Sequence, residues 1–141
     1  MAGSIYDHRA SMKTAVSALE AGGYTLAAAR IKLGHVVHAA NADFIRQLAT
    51  TGPYLIIHGG GKRAHMDMGT SRASTYEVKS DLYVGLDRNA DDDLTNLEAL
   101  LEAIDAAWVD WPTTWDEPEI NVRQNSAMAH VVLTSEVLAG C

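Results

Sequence analysis

The stretch that most constrains the fold spans residues 76–108. It reads as a long alternating strand, a loop dense in aspartate, and an amphipathic helix. Tyr76, Val78, Leu82, Val84 and Leu86 fall on one face of the strand, interrupted only by Ser80. Glu77, Lys79, Asp81 and Asp87 fall on the other, with Tyr83 and Gly85 between them. A period of two is what a half-buried strand requires, because successive side chains leave opposite faces. Leu94, Leu97, Leu101, Ile104 and Trp108 then recur at three- and four-residue steps, which lines one side of a helix, while Asn96, Glu98, Glu102 and Asp105 take the wet side.

The rest of the chain is read around that unit. Residues 6–21 predict a helix from their alanine content and from the stripe of Met12, Val16 and Leu19, with Gly22 and Gly23 as its stop. Residues 25–33 fit a helix by their alanines, whereas Ile31, Val36 and Val37 point to a strand over residues 31–38, which is the favoured reading; residues 43–48 fit a short helix. Tyr54, Leu55, Ile56 and Ile57 form an unbroken apolar run between Pro53 and Gly59, which fits a strand covered on both faces. Residues 59–75 form a long polar segment, expected as a flexible loop or hairpin. Residues 109–119 hold Trp111, Pro112, Trp115 and Pro118 and read as a connection. Residues 120–123 and 129–138 read as two strands joined by a turn at Gln124, Asn125 and Ser126. The order of helix, strands, helix, strands predicts one α+β domain over residues 1–141, with two main helices packed on a mostly antiparallel mixed sheet.

Charge narrows the function classes. A net charge of −7 argues against a dedicated nucleic-acid binder, which needs a basic face. Cys141 is the only cysteine, so neither an intramolecular disulfide nor a cysteine zinc site is available. No run approaches the roughly 20 apolar residues that span a bilayer. The first residues lack the pattern of a secretory signal. The expectation is a protein kept in a cytoplasm or built into a particle assembled there, without a membrane partner.

Several constellations invite chemistry. Asp87, Asn89, Asp91, Asp93, Thr95 and Glu98 occupy positions 1, 3, 5, 7, 9 and 12 of a calcium-loop template, so a calcium-binding module on residues 87–98 is the alternative reading. Against it, Asp92 stands where the template needs glycine, and a strand rather than a helix precedes the loop. The plainer role for Asp91, Asp92 and Asp93 is to favour a helix N-terminus. Gly59, Gly60, Gly61 and Lys62 follow a strand, but Ile56 and Arg63 occupy positions where a phosphate loop needs glycine and a hydroxyl residue. His35 and His38 would leave opposite faces of a strand, and no HExxH pattern or GxSxG elbow exists. The reading is therefore non-enzymatic, with no cofactor and no metal required. Trp111 and Trp115 fall outside the helical stripe and either cover the open end of the core or sit at a subunit interface.

The order of elements resembles the tail terminator proteins of long-tailed bacteriophages. That pattern is an N-terminal helix, an apolar strand introduced by Pro53, a polar hairpin over residues 59–75, the alternating strand 76–86, the acidic turn 87–93, the helix 94–108, and a final pair of strands within 120–138. The resemblance implies a virion structural protein of the tail or neck. Six copies would form a homohexameric ring that caps the tail tube protein and meets the head–neck connector protein, with DNA passing through the lumen without specific binding. Other head–tail connector or minor tail proteins share the pattern. The resemblance further implies that the hairpin contacts neighbours, through Lys62, Arg63, His65, Met66, Met68 and Arg72. A ring built from anionic copies would repel passing phosphates rather than hold them.

Overall fold

The computed structural model describes residues 5–33, 52–58, 62–68, 71–86, 93–123 and 126–140. Its spine is a pair of long strands, β6 (Ser71–Leu86) and β9 (Ser126–Gly140), paired antiparallel from Ala73↔Gly140 to Leu86↔Ala127. Each outer edge of this spine is shared by two shorter strands. On the β6 edge lie β4 (Tyr54–Ile57), opposite Ser80 to Tyr83, and β5 (Lys62–Met68), opposite Ser71 to Glu77. On the β9 edge lie β7 (Thr113–Trp115), opposite Leu133 to Ser135, and β8 (Glu119–Arg123), opposite Ser126 to His130. β3 (Ile31–Leu33) pairs parallel with β4, and every other described pair in this sheet is antiparallel. The architecture is α+β, as the pattern predicts.

Two helices are described. α1 (Ile5–Val16) is shorter than its alanine content suggests. The chain leaves it through Ala18, whose φ is 63°, and forms a small hairpin of β1 (Leu19–Ala21) and β2 (Tyr24–Leu26). Gly22 and Gly23 are therefore a hairpin turn and not a helix stop. Their φ values of 61° and 80° give the consecutive left-handed pair that suits a two-residue hairpin connection. Leu19, expected on a helix stripe, reaches the core from a strand.

α2 (Asp93–Ala107) buries Leu97, Leu101 and Ile104, and Trp108 follows in the closing turn, fully buried. Leu94 departs from the expected stripe: it is 57% exposed, and Leu100 is buried instead. Helical spacing does not separate the two, since they flank the centre of the buried arc at about 60° on either side; Leu94 differs in standing in the first turn of the helix. The core joins these residues to Met12 and Val16 of α1, to Leu55 and Ile57 of β4, to Val78, Leu82 and Val84 of β6, and to Val131, Leu133 and Val137 of β9. The Trp108 indole N–H donates to the Met12 carbonyl at 2.9 Å, fixing the end of α2 against the middle of α1. Ser80 lies fully buried on the core face, as the broken alternation implies.

The polar segment 59–75 is a hairpin where described, and its second arm is the start of β6. The expected connection 109–119 contains β7. Thr113, Thr114 and Trp115 have good strand propensity and meet an available edge of β9. The strand expected over 31–38 is seen as β3, whose continuation lies outside the described residues, as does the short helix expected over 43–48. Of the turn expected at Gln124, Asn125 and Ser126, the first two residues also lie outside the described residues, and Ser126 is not in a turn but opens β9 opposite Arg123.

Candidate functional site

Because side chains alternate along a strand, the face of the spine turned away from the core cluster carries Glu77, Lys79, Asp81 and Tyr83 of β6 and His130, Val132, Thr134 and Glu136 of β9. On the other side of β6, β4 contributes Tyr54 and Ile56 to the same face, and His58 follows directly after it. All four residues of β4 are buried, so this strand is covered on both faces, as its unbroken apolar run predicts.

Asp81 sits at the centre of this face. His58 Nε2 donates to Asp81 Oδ2, and His130 Nε2 donates to Oδ1 at 2.7 Å. The backbone sets this arrangement. The His58 N–H donates to the Lys79 carbonyl at 2.9 Å, which places His58 diagonally from Asp81. His130 stands opposite Tyr83, diagonal to Asp81 on the other side. The Tyr83 ring stacks on the His130 imidazole at 4.6 Å and 5°. Burial pushes the Asp81 carboxyl up, but the hydrogen bonds from His130 and His58, with their charge, outweigh it and hold the group below its ordinary value. Tyr83 moves up, first through burial and then through the Asp81 charge.

Chemically this is a clamp. One carboxylate ties three adjacent strands through two imidazoles, and each of its oxygens is engaged. Among the described residues, no group of three His, Cys, Asp or Glu side chains is placed to hold a metal ion. The upward shift of the stacked Tyr83 hydroxyl favours its neutral form.

The residues expected at an interface divide between two places. Lys62, Arg63, His65, Met66 and Met68 lie on β5, and Arg72 lies in the adjoining part of β6. Trp115 is on β7, across the β6–β9 pair, and packs half-buried against the core. Trp111 is buried to 9% exposure, donates from Nε1 to His8 Nδ1 at 3.0 Å, and meets that ring edge-on at 6.2 Å. A groove of about 480 Å³ opens where β7 leaves β9, lined by Thr75, Tyr76, Glu77, Pro112 to Thr114, and Thr134 to Glu136. Of the calcium-loop positions, Asp87, Asn89 and Asp91 lie outside the described residues, Asp93 opens α2, and Thr95 and Glu98 are exposed on it.

The clamp is absent from the sequence reading. Asp81 and Tyr83 stood out only as same-face neighbours two apart, and His58 and His130 are 72 positions apart in sequence. The usable signal was the pairing of β6 with both flanking strands, which periodicity alone does not supply.

No helix among the described residues is long and apolar enough to cross a membrane. No protein-family model matches the chain, and no curated protein matches it. Among solved structures, a chain from the virion of a native gene transfer agent particle aligns over 77% of this chain and 78% of its own, with 12% identity and a TM-score of 0.32. A likeness at that level carries no argument about role.

Proposed function

We propose that this chain is a virion structural subunit, a tail terminator whose six copies form a ring that caps the tail tube and meets the head–neck connector. The observation that supports the reading best is the architecture around the spine. A hairpin of β5 and β6 extends the sheet past β4, and the helices pack on one face, in the element order of that family. The polar cluster favours structure over catalysis, because its carboxylate and imidazoles bind one another across three strands. Each copy carries a net charge of −7, so a six-fold ring is strongly anionic and suits a channel past which DNA slides.

Electron microscopy of the purified protein, with mass measurement in solution, tests this. Six-fold rings of about six times 15.2 kDa are the expected result. A chain that stays monomeric at high concentration, alone and with tail tube protein, rejects it. Rings of another symmetry shift the reading to a different connector or minor tail protein.

A further inference from the structure

We propose that His58, Asp81 and His130 form a one-proton latch, which tightens when the imidazole pair takes up a single proton and loosens when it takes up a second. The proposal goes beyond the ring reading and does not rest on it. Two Nε2 atoms share one carboxylate, one on each oxygen. The side chains of His58, His130 and Asp81 are 27%, 24% and 19% exposed, so solvent reaches the cluster in the folded state. Asp81 is held below its ordinary value, so it stays ionised where imidazoles titrate, between about pH 5 and 8.

Counting charge shows why one proton differs from two. With both imidazoles neutral, the carboxylate keeps its negative charge and accepts from two ordinary N–H donors. One added proton balances that charge and turns one hydrogen bond into a charge-assisted pair, roughly twice as strong. A second proton sets two imidazoliums on one carboxylate, and the excess positive charge has no counterpart inside the cluster. Groups that interact this closely titrate as a pair, so the uptake belongs to the cluster and not to either histidine. The first proton binds the folded cluster more tightly than the unfolded chain. Its stabilisation is therefore present at lower pH and fades as pH rises through the first step.

The neighbouring charges leave this count intact. Lys79 Nζ is occupied by the Thr134 hydroxyl at 2.8 Å and by Glu77 at 3.3 Å. Lys32 of β3 lies in the same row as Asp81 but beyond Ile56, and it is exposed. Glu119 of β8 stands opposite His130, exposed, and makes no ion pair with it among the described residues. Tyr54, in register with Tyr83, carries the Arg30 guanidinium over its ring at 4.7 Å. Tyr83 stacks on His130.

The latch acts where β4 ends. His58 follows Ile57 directly, and its N–H donates to the Lys79 carbonyl at 2.9 Å. β5 begins at Lys62, so the chain crosses to the β5–β6 hairpin just beyond the latched residue. The proton count thus sets how firmly the root of that hairpin is tied to the spine.

The test follows the imidazole ring protons by NMR against pH, with amide hydrogen exchange at His58, in the wild type, Asp81→Asn, His130→Gln and Glu119→Gln. In the wild type the His58 and His130 signals should show two steps separated by about one pH unit or more. The protection factor of the His58 amide should rise about tenfold through the first step as pH falls, then decline through the second. Asp81→Asn should move the first step down by about one unit or more and remove that rise. His130→Gln should leave a single step at His58, with no decline in protection down to about pH 5. Glu119→Gln should change neither quantity. Independent single-step titrations in the wild type overturn the proposal, as does a first step that stays in place in folded Asp81→Asn. A changed separation in Glu119→Gln overturns the count of one carboxylate. If Asp81→Asn fails to fold, His130→Gln decides, and a decline in His58 protection that persists there overturns the latch.

Discussion

Replacing Trp108 by phenylalanine isolates the joint between the two helices. The indole is fully buried, and its N–H donates to the Met12 carbonyl at 2.9 Å. Phenylalanine keeps an aromatic ring in the pocket but deletes the donor and part of the volume. Loss of one buried hydrogen bond costs about 1 kcal/mol. The reduction in ring size adds a transfer and cavity cost on the order of 1–2 kcal/mol. The expected loss is therefore about 2–3 kcal/mol, a large share of the roughly 5–15 kcal/mol that holds a domain of this kind together. Urea unfolding at fixed protein concentration, followed by far-ultraviolet circular dichroism, should show a lower midpoint with an unchanged slope. In a thermal scan the same loss is a fall of roughly 6–10 °C. Trp108→Ala should cost more, about 3–5 kcal/mol. A loss below about 0.5 kcal/mol for the phenylalanine variant would refute the claim that this indole pins α2 to α1.

Asp81 has a carboxyl pKa below its ordinary 3.8, so the stability it contributes is present above that value and is lost as pH falls through the folded-state pKa. Asp81→Asn should flatten that acid limb of the urea midpoint against pH, and an unchanged acid limb would count against the clamp. Gly22→Ala places a Cβ 2.2 Å from the Asn96 carbonyl oxygen at φ 61°, so it should destabilise severely by pushing the β1–β2 turn off α2. Gly23→Ala, with nothing within 4 Å of its Cβ at φ 80°, should cost only the backbone strain, about 1–2 kcal/mol. Equal melting temperatures for the two variants would contradict this packing. If the spacing of residues 87–98 holds calcium, melting in calcium should exceed melting in chelator by several degrees, and Asp87→Ala and Glu98→Ala should each abolish the shift; identical melts dismiss that reading.

The parts of the fold legible in sequence are those whose periodicity has one physical cause. β4 reads as a doubly covered strand because nothing polar interrupts Tyr54 to Ile57. The core face of β6 reads correctly through Ser80 because the flanking Val78 and Leu82 keep the register. α2 reads correctly except that Leu100 is buried and Leu94 is exposed, two positions at similar angles on either side of the stripe, of which Leu94 stands in the first turn. The β1–β2 hairpin was hidden by competition. Alanine-rich sequence before Gly22 favours helix, and a glycine pair serves a helix cap and a hairpin turn equally well; contact with Asn96 on α2 decides between them. β7 was hidden because Pro112 and Pro118 bracket five residues, of which three become a strand only when β9 offers an edge. The clamp could not be read at all, since its geometry depends on which strands flank β6.

The spine also dictates when the molecule can become itself. β9 is the last described strand in chain order, yet it pairs with β6 along nearly its whole length and carries β7 and β8 on its other side. A nascent chain that has already emitted both described helices and every other described strand still has no complete sheet to lay them on. Local pieces such as the β1–β2 and β5–β6 hairpins can form during synthesis, but the cooperative transition waits for contacts spanning half the chain, which makes folding slow by topology. Chains shortened by premature termination before β9 therefore lack a complete sheet, and degradation is their expected fate.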